Sequence, residues 1–503
     1  EFARQIIDLV LQQGVGYGRG APTGKPVMVE FSQPNTHKAF HIGHLRSAIL
    51  GDAIARILEF AGNPVVRANY IGDIGLHVIK WLWNYMNYHA GEQPPKTDRT
   101  RWMGDLYAEA SRRLEQDPQL ENEVRDVYAR WDRGDAEVVD LWQTTRQWSL
   151  DGFDELYRKL DIRFDHIYAN SQVEKPGKQV VDELIAKGIA VDERPEGPVI
   201  VRIDDLVGLK REKYRVLVVL RSDNTALYAT LDLALAKMKF NDYPLDRSLY
   251  IVDVRQSLHF QQVFKTLEIA GYPWATRCQH LPYELVNLPG NVVMASREGT
   301  VVLLEDLLRE ATQRALAIVQ EKNPALTEAQ KQAVAFAVGL GALKYPILAR
   351  DSARLVTFDW EAALDFNGQA APYIQYAHVR ANSILRKWAE DQQDERAHGK
   401  VEPEDLPASQ PITQALDPTE VQLVDLISRL PAEVQRAANE YKTLPITNLA
   451  YELARAFTDF YAACPVLKAE PPVRAARLRL VAAARQALAN LLNLLGIQAP
   501  DVM

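Results

Sequence analysis

The apolar residues follow two rhythms along the chain. In the first half, short apolar runs that suit buried strands alternate with segments whose apolar positions recur at helical spacing. Val27, Met28 and Val29 form such a run. A polar turn with Pro34 and Asn35 follows, and Leu45, Ile49, Ala53, Ile57 and Phe60 then mark one helix face until Gly62-Asn63-Pro64 stop it. Residues 65–70 predict a second strand, which ends at Ile71-Gly72-Asp73-Ile74-Gly75. From about 81 to 160 the pattern is helical, with Trp131, Trp142 and Trp148 on amphipathic stretches that read as core. Residues 161–210 predict a small irregular α/β insertion. Strands follow at 214–220, 226–229 and 249–254, with a helix over 230–240. Beyond 330 the rhythm is helical, at 330–350, from Ala371 onward, and near 417–440, 445–463 and 471–495. A polar, Pro-containing linker (388–412) interrupts it. The pattern predicts an α/β domain of the doubly wound (Rossmann) type, with an insertion, followed by an all-helical domain.

Composition changes this picture little. The 503 residues, 47% hydrophobic and 25% charged, suit a globular protein of several domains with ample core. No apolar run reaches membrane-spanning length and no signal peptide opens the chain, so no membrane association is expected. Two cysteines, Cys278 and Cys464, form neither a zinc pattern nor a disulfide framework, which suits a cytoplasmic protein. The net charge of −8 neither favours nor excludes nucleic acid, because a local basic stripe on an acidic body is enough.

The candidate chemistry lies at the helix entrances. His41-Ile42-Gly43-His44 opens the first amphipathic helix after a strand, with Lys38 just upstream. A helix N-terminus attracts phosphate, and two histidines three apart add donors on the same side of the first turn. Gly43 removes a side chain where a flat ring could lie against the backbone. Two histidines that merely cap the helix fit the bare pattern equally well. Asn69, Asp73 and His77 follow the second strand, where ligand groups gather in doubly wound sheets. Tyr228 and Asp232, four apart at a later helix entrance, pair an aromatic hydroxyl with a carboxylate, as a guanidinium site requires. A solvated helix cap is the other reading of Asp232, and core packing beside Phe260 the other reading of His259.

The string SQPNTHKAFHIGHLRSAILGD closely resembles the arginyl version of the HIGH signature of class I aminoacyl-tRNA synthetases, in which an S-x-P-N turn and a lysine precede HxGH. The resemblance runs from about residue 26 to the last residue and includes N-Y-x-G-D-x-G at 69–75, Y-x-x-x-D at 228–232, Q-x-L-H-F at 256–260, V-V-L-L-E-D-L-L at 301–308 and P-Y-x-Q-Y-A-H at 372–378. It implies an arginine–tRNA ligase that acts on L-arginine, ATP with Mg²⁺ and tRNA-Arg, as a monomer, without a protein-built metal site. His41, His44, Lys38 and Arg297 would be catalytic. His41, Gly43, His44, His259, Met294, Ser296 and Arg297 would hold ATP, and Glu30, Asn35, Asp73, Tyr228, Asp232 and Gln256 would hold arginine. Tyr373, Tyr376, Arg380, Tyr461, Arg474 and Arg485 would meet tRNA, the tyrosines by stacking and the arginines at phosphates. Arg474, Arg477 and Arg485 fall near one helical stripe, and a solvated face is the other reading of that stripe, as core packing is of each tyrosine.

The resemblance also divides the chain. It implies a lead-in at 1–24, catalytic halves at 25–160 and 211–310, the insertion at 161–210, a connecting helical region at 311–365 and an anticodon-binding domain at 366–503. Arginyl enzymes usually carry an N-terminal domain that is almost absent here, which suggests a fragment or a lineage without it. The family's K-M-S-K-S loop corresponds to Val293-Met294-Ala295-Ser296-Arg297-Glu298-Gly299. The first lysine is replaced by Val293, and Glu298 stands where a lysine is often found, which leaves Arg297 and Lys38 for the pyrophosphate. Gly368-Gln369-Ala370-Ala371 departs from the family's G-N-T-G before Pro372. Two other functions fit the same residues: another enzyme of the HIGH superfamily, or a catalytically impaired synthetase-like RNA-binding protein.

Overall fold

The computed structural model describes residues 1–288, 292–293, 303–391, 401–408 and 415–503. Helix α1 (Phe2–Gln13) precedes β1 (Val27–Glu30), α2 (Ile42–Phe60) and β2 (Val65–Ile71). Four helices follow: α3 (Leu76–Tyr88), α4 (Arg99–Gln116), α5 (Glu121–Asp132) and α6 (Ala136–Leu160). Next come β3 (His166–Ala169), α7 (Asn170–Ala186), β4 (Val191–Asp192), β5 (Val199–Arg202), α8 (Ile203–Leu206) and β6 (Val216–Leu220). The second half has α9 (Tyr228–Asp242), β7 (Arg247–Asp253), α10 (Ser257–Ile269), β8 (Cys278–Tyr283), β9 (Val286–Leu288) and β10 (Val292–Val293). It closes with α11 (Leu304–Lys322), α12 (Glu328–Leu348), β11 (Val356–Thr357) and α13 (Trp360–Ala363). The C-terminal helices are α14 (Ala371–Asp391), α15 (Pro418–Glu440), α16 (Leu444–Ala463) and α17 (Pro471–Leu494).

The main sheet is parallel throughout, in the order β3-β2-β1-β7-β8. β1 is buried at every position, as its unbroken apolar run requires of a central strand covered on both faces. The strand order reverses between β1 and β7, so the crevice at their carboxyl ends is where a doubly wound sheet takes its ligand. Helix α2 is buried around most of its circumference, between this sheet and α12, α15 and α17. One continuous core therefore runs from the sheet into the C-terminal helices.

Three expectations change at this level. The strand at 214–220 is β6, which does not join the main sheet but forms the small antiparallel sheet β4-β5-β6. Conversely β3, inside the expected insertion, pairs with β2 as an edge of the main sheet. The boundaries at 161 and 210 therefore do not follow the sheets, because an apolar strand carries no mark of the partner it will choose. The strand expected at 226–229 is also absent: Ala226 makes one bridge to Leu220, and α9 begins at Tyr228.

Candidate active site

The turn between β1 and α2 is held by side chains from outside it. Ser32, Gln33 and His37 have φ of 79°, 47° and 59°, a conformation unfavourable for residues other than glycine. Their amides donate to Ser47 Oγ (2.9 Å), Asn69 Oδ1 (3.2 Å) and Ser149 Oγ (3.0 Å). Asn35 then runs beside Gly72, where a Cβ would stand 2.1 Å from the Asn35 amide oxygen. Glycine at 72 is thus a requirement of this close approach.

The turn delivers His41 to the N-cap of α2. Its Nδ1 accepts from the Gly43 amide (3.1 Å), and His44 Nδ1 accepts from the His41 amide (3.3 Å). The two rings stack with centroids 3.9 Å apart. Burial, and then Lys38, bring the His41 pKa down to about 4; burial, His41 and Lys38 lower that of His44. Both rings are therefore neutral near pH 7, and with Nδ1 accepting, each carries its proton on Nε2. The site offers two imidazole N–H donors at a helix N-terminus without imidazolium charge. The ring that lies against Gly43 is that of His41 itself, 2.9 Å from where a Cβ would stand.

Acidic groups gather around Tyr70 on β2, the strand beside β1. The Tyr70 hydroxyl is buried without a hydrogen-bond partner among the described residues. Burial, followed by Asp232, Glu30, Asp73 and Tyr228, raises its pKa well above the ordinary value. Two of these carboxylates are already neutralised. Glu30 is ion-paired with the buried Lys239 and accepts from Gln33 Nε2 (3.0 Å). Asp73 accepts from Arg146 Nε (2.7 Å), the Ser171 amide (2.9 Å) and Ser171 Oγ (2.6 Å). Asp232 differs. Its partner is His259, with Nε2 2.6 Å from Oδ2, and no lysine or arginine pairs with it among the described residues.

Glu30 and Asp73 add charge around Tyr70 with oxygens that pair with protein donors, as burial of a carboxylate demands. His259 meets Asp232. Tyr228, 78% exposed, shares a face of α9 with Asp232, and Gln256 is exposed at the N-cap of α10. Lys38 places its ammonium 4.9 Å from the centre of the Tyr107 ring.

Two residues of the site were not singled out by the sequence reasoning. Tyr70 lies inside the N-Y-x-G-D match, whose alternation placed it in a strand without showing which way it faced. Arg46, directly after HIGH-L, is 1% exposed and donates to four carbonyls: Glu284, Leu285 (2.7 Å), Ser352 (3.1 Å) and Arg354 (2.8 Å). It ties α2 to the segment leading into β9 and to the segment before β11. Met294, Ser296, Arg297 and Glu298 lie outside the described residues; Val293 ends β10, which pairs with β9.

In the C-terminal helices the Arg380 guanidinium lies 4.7 Å from the Tyr376 ring centre and 4.9 Å from that of Tyr461, both rings being well exposed. Tyr373 is less open: it packs beside Tyr451, and its hydroxyl donates to Thr458 Oγ1 (3.4 Å). Arg485 is not a surface cation. It is 4% exposed and donates to Asn382 Oδ1 (3.3 Å) and the Val401 carbonyl (3.0 Å). Helical spacing grouped it with Arg474 and Arg477, but the segment that covers it comes from elsewhere in the chain. Arg477 is likewise committed, to Glu420 at 2.8 Å, whereas Arg474 is half-buried.

A parallel nucleotide-type sheet, a HIGH cap at its switch point and a following helical domain define a class I aminoacyl-tRNA synthetase. Residues 6–360 match the family described as tRNA synthetases class I (R), catalytic domain, and residues 374–503 match the DALR anticodon binding domain. The chain belongs to this arginine-type family of class I tRNA synthetases. An arginine–tRNA ligase of Bacteroides fragilis is 36% identical over 499 residues, covering 95% of this chain and 80% of the relative. One from Clostridium perfringens is 35% identical, covering 100% and 85%. The structure of Thermus thermophilus arginyl-tRNA synthetase superposes with a TM-score of 0.83 at 28% identity, covering 100% of this chain and 86% of that one.

Proposed function

We propose that this chain activates L-arginine with ATP and transfers it to the terminal adenosine of tRNA-Arg. The observation that carries the reading is a pair of neutral histidine donors at the α2 cap together with an acidic cluster in which Asp232, among the described residues, has no lysine or arginine partner. A guanidinium satisfies that carboxylate in bidentate fashion, whereas a lysine ammonium offers only a point charge. The arginine carboxylate attacks the α-phosphorus of ATP in line and releases pyrophosphate. The Nε2–H groups of His41 and His44 and the N-terminus of α2 stabilise the charge that develops on the phosphate oxygens, with Lys38 alongside. The adenylate then passes to the ribose hydroxyl of the tRNA, releasing AMP. No enzyme nucleophile is needed.

Mg²⁺ belongs to this reading as part of the ATP substrate. No described helix is long and apolar enough to cross a membrane. Tyr376, Arg380 and Tyr461 provide stacking faces and a cation for bases or phosphates of the tRNA. The test is ATP- and tRNA-dependent charging with radiolabelled arginine, with lysine as control and His44→Ala beside it. Arginine charging that the variant loses supports the reading. Tight tRNA binding without charging by the unmodified chain would instead favour an impaired synthetase-like RNA-binding protein.

A further inference from the structure

We infer that His259 is the positioning residue for the guanidinium carboxylate, holding Asp232 by one oxygen so that the other faces the incoming cation. The inference rests on the arginine reading above. Asp232 sits one turn into α9 and His259 in the first turn of α10, so the bond at 2.6 Å joins two elements across the pocket. Nothing else among the described residues fixes the carboxylate. Asp232 has no further hydrogen bond or ion pair among the described residues, whereas the neighbouring Glu30 and Asp73 are each held from more than one side.

The imidazole is itself braced. Its ring meets Phe260 edge-on at 5.4 Å, and Phe260 stacks on His280, whose Nε2 lies 2.9 Å from the Val252 carbonyl. The titratable groups around the pair are Asp232 on α9, Tyr70 on β2, His280 on β8 and, beyond it, Asp253 paired with Arg255 at the end of β7. His259 thereby sets the aim of the carboxylate, which predicts an effect specific to arginine affinity.

The experiment compares the unmodified chain with His259→Gln, which keeps a donor, and His259→Leu, which has none. L-arginine affinity is measured by calorimetry at pH 8, KM for arginine and ATP by tRNA charging, and folding by urea midpoint. His259→Gln should stay within about 2-fold of the unmodified chain in arginine affinity, and His259→Leu should bind about 10-fold more weakly. KM for ATP should stay within about 2-fold throughout. A His259→Leu chain that binds arginine as tightly as the unmodified protein overturns the inference, as does a loss confined to KM for ATP. If the unmodified chain binds no arginine, the functional reading falls and takes the inference with it. If it binds arginine and His259→Leu changes nothing, the inference alone fails.

Discussion

Glu30, the last residue of β1, is ion-paired with Lys239 of α9, and both side chains are almost completely buried. The lysine ammonium also lies over the Tyr250 ring, 3.7 Å from its centre. This pair lets a carboxylate stand at the switch point of a parallel sheet. Lys239→Met should strand that carboxylate and destabilise the protein by about 3–5 kcal/mol, with Glu30→Gln restoring part of the loss in the double variant. Urea unfolding measures it, and a Lys239→Met midpoint matching the parent would show that the pair does not hold the strand end.

Arg46 presents a different buried charge, one surrounded by carbonyls. Burial brings its pKa down to about 10, so it remains cationic at neutral pH. Arg46→Leu removes the donors for four carbonyl groups at once. A destabilisation of about 3 kcal/mol or more is expected, since each orphaned buried acceptor costs about 1 kcal/mol or more. Arg46→Lys should recover only part of it, because an ammonium lacks the fork that reaches two separate segments. Equal stability of the Lys variant and the parent would contradict this account.

Tyr70→Phe separates folding from function. The hydroxyl has no partner among the described residues, so its removal should leave stability unchanged or raise it by about 1 kcal/mol. KM for arginine should rise about 10-fold at constant KM for ATP, because the hydroxyl faces the cation pocket. Thermal melting and charging kinetics on one preparation decide it; an unchanged arginine KM would remove Tyr70 from the pocket.

Acid should weaken the fold through its histidines. Burial lowers the pKa of His37, His41, His44 and His77, that of His41 and His77 to about 4. The unfolded chain takes up these protons near pH 6.5 while the folded chain still refuses them. Stability is therefore lost as pH falls from about 6.5 toward 4, by at most about 1.4 kcal/mol per pH unit for each such histidine. His77→Gln should lower the slope by about one proton over that range. Urea midpoints taken between those limits test the sign directly.

Arg380 and Arg485 should behave oppositely. Arg380→Ala removes a half-buried cation set between two exposed tyrosine rings and should weaken tRNA binding about 3–10-fold, with a shallower salt dependence and an unchanged fold. Arg485→Ala should lower stability by about 1–3 kcal/mol, because it leaves Val401 and Asn382 without their donor. Filter binding at several salt concentrations beside a urea titration distinguishes them, and equal tRNA losses at constant stability would refute the distinction.

Local information was enough for a large part of this protein. The apolar run of β1, the helical spacing from Leu45 and the stop at Gly62-Asn63-Pro64 located a strand, turn and helix unit, because period and turn chemistry are short-range properties. His41 and His44 were legible for the same reason: a helix cap is built from residues within four positions of one another. What lay beyond the sequence pattern depends on partners far away in the chain. Nothing near Glu30 announces Lys239, and nothing near Asp73 announces Arg146 or Ser171, so their commitment to protein donors became visible only when α9, α6 and α7 closed over the sheet. Arg485 looked like a surface cation until the Val401 segment covered it. β6 had the composition of a core strand, but the sheet it joined was decided by hydrogen bonding across the fold. The sequence by itself determined most of the elements and the histidine cap of α2; tertiary structure decided which carboxylate has no lysine or arginine partner among the described residues, because charge compensation among buried groups is settled by long-range contacts.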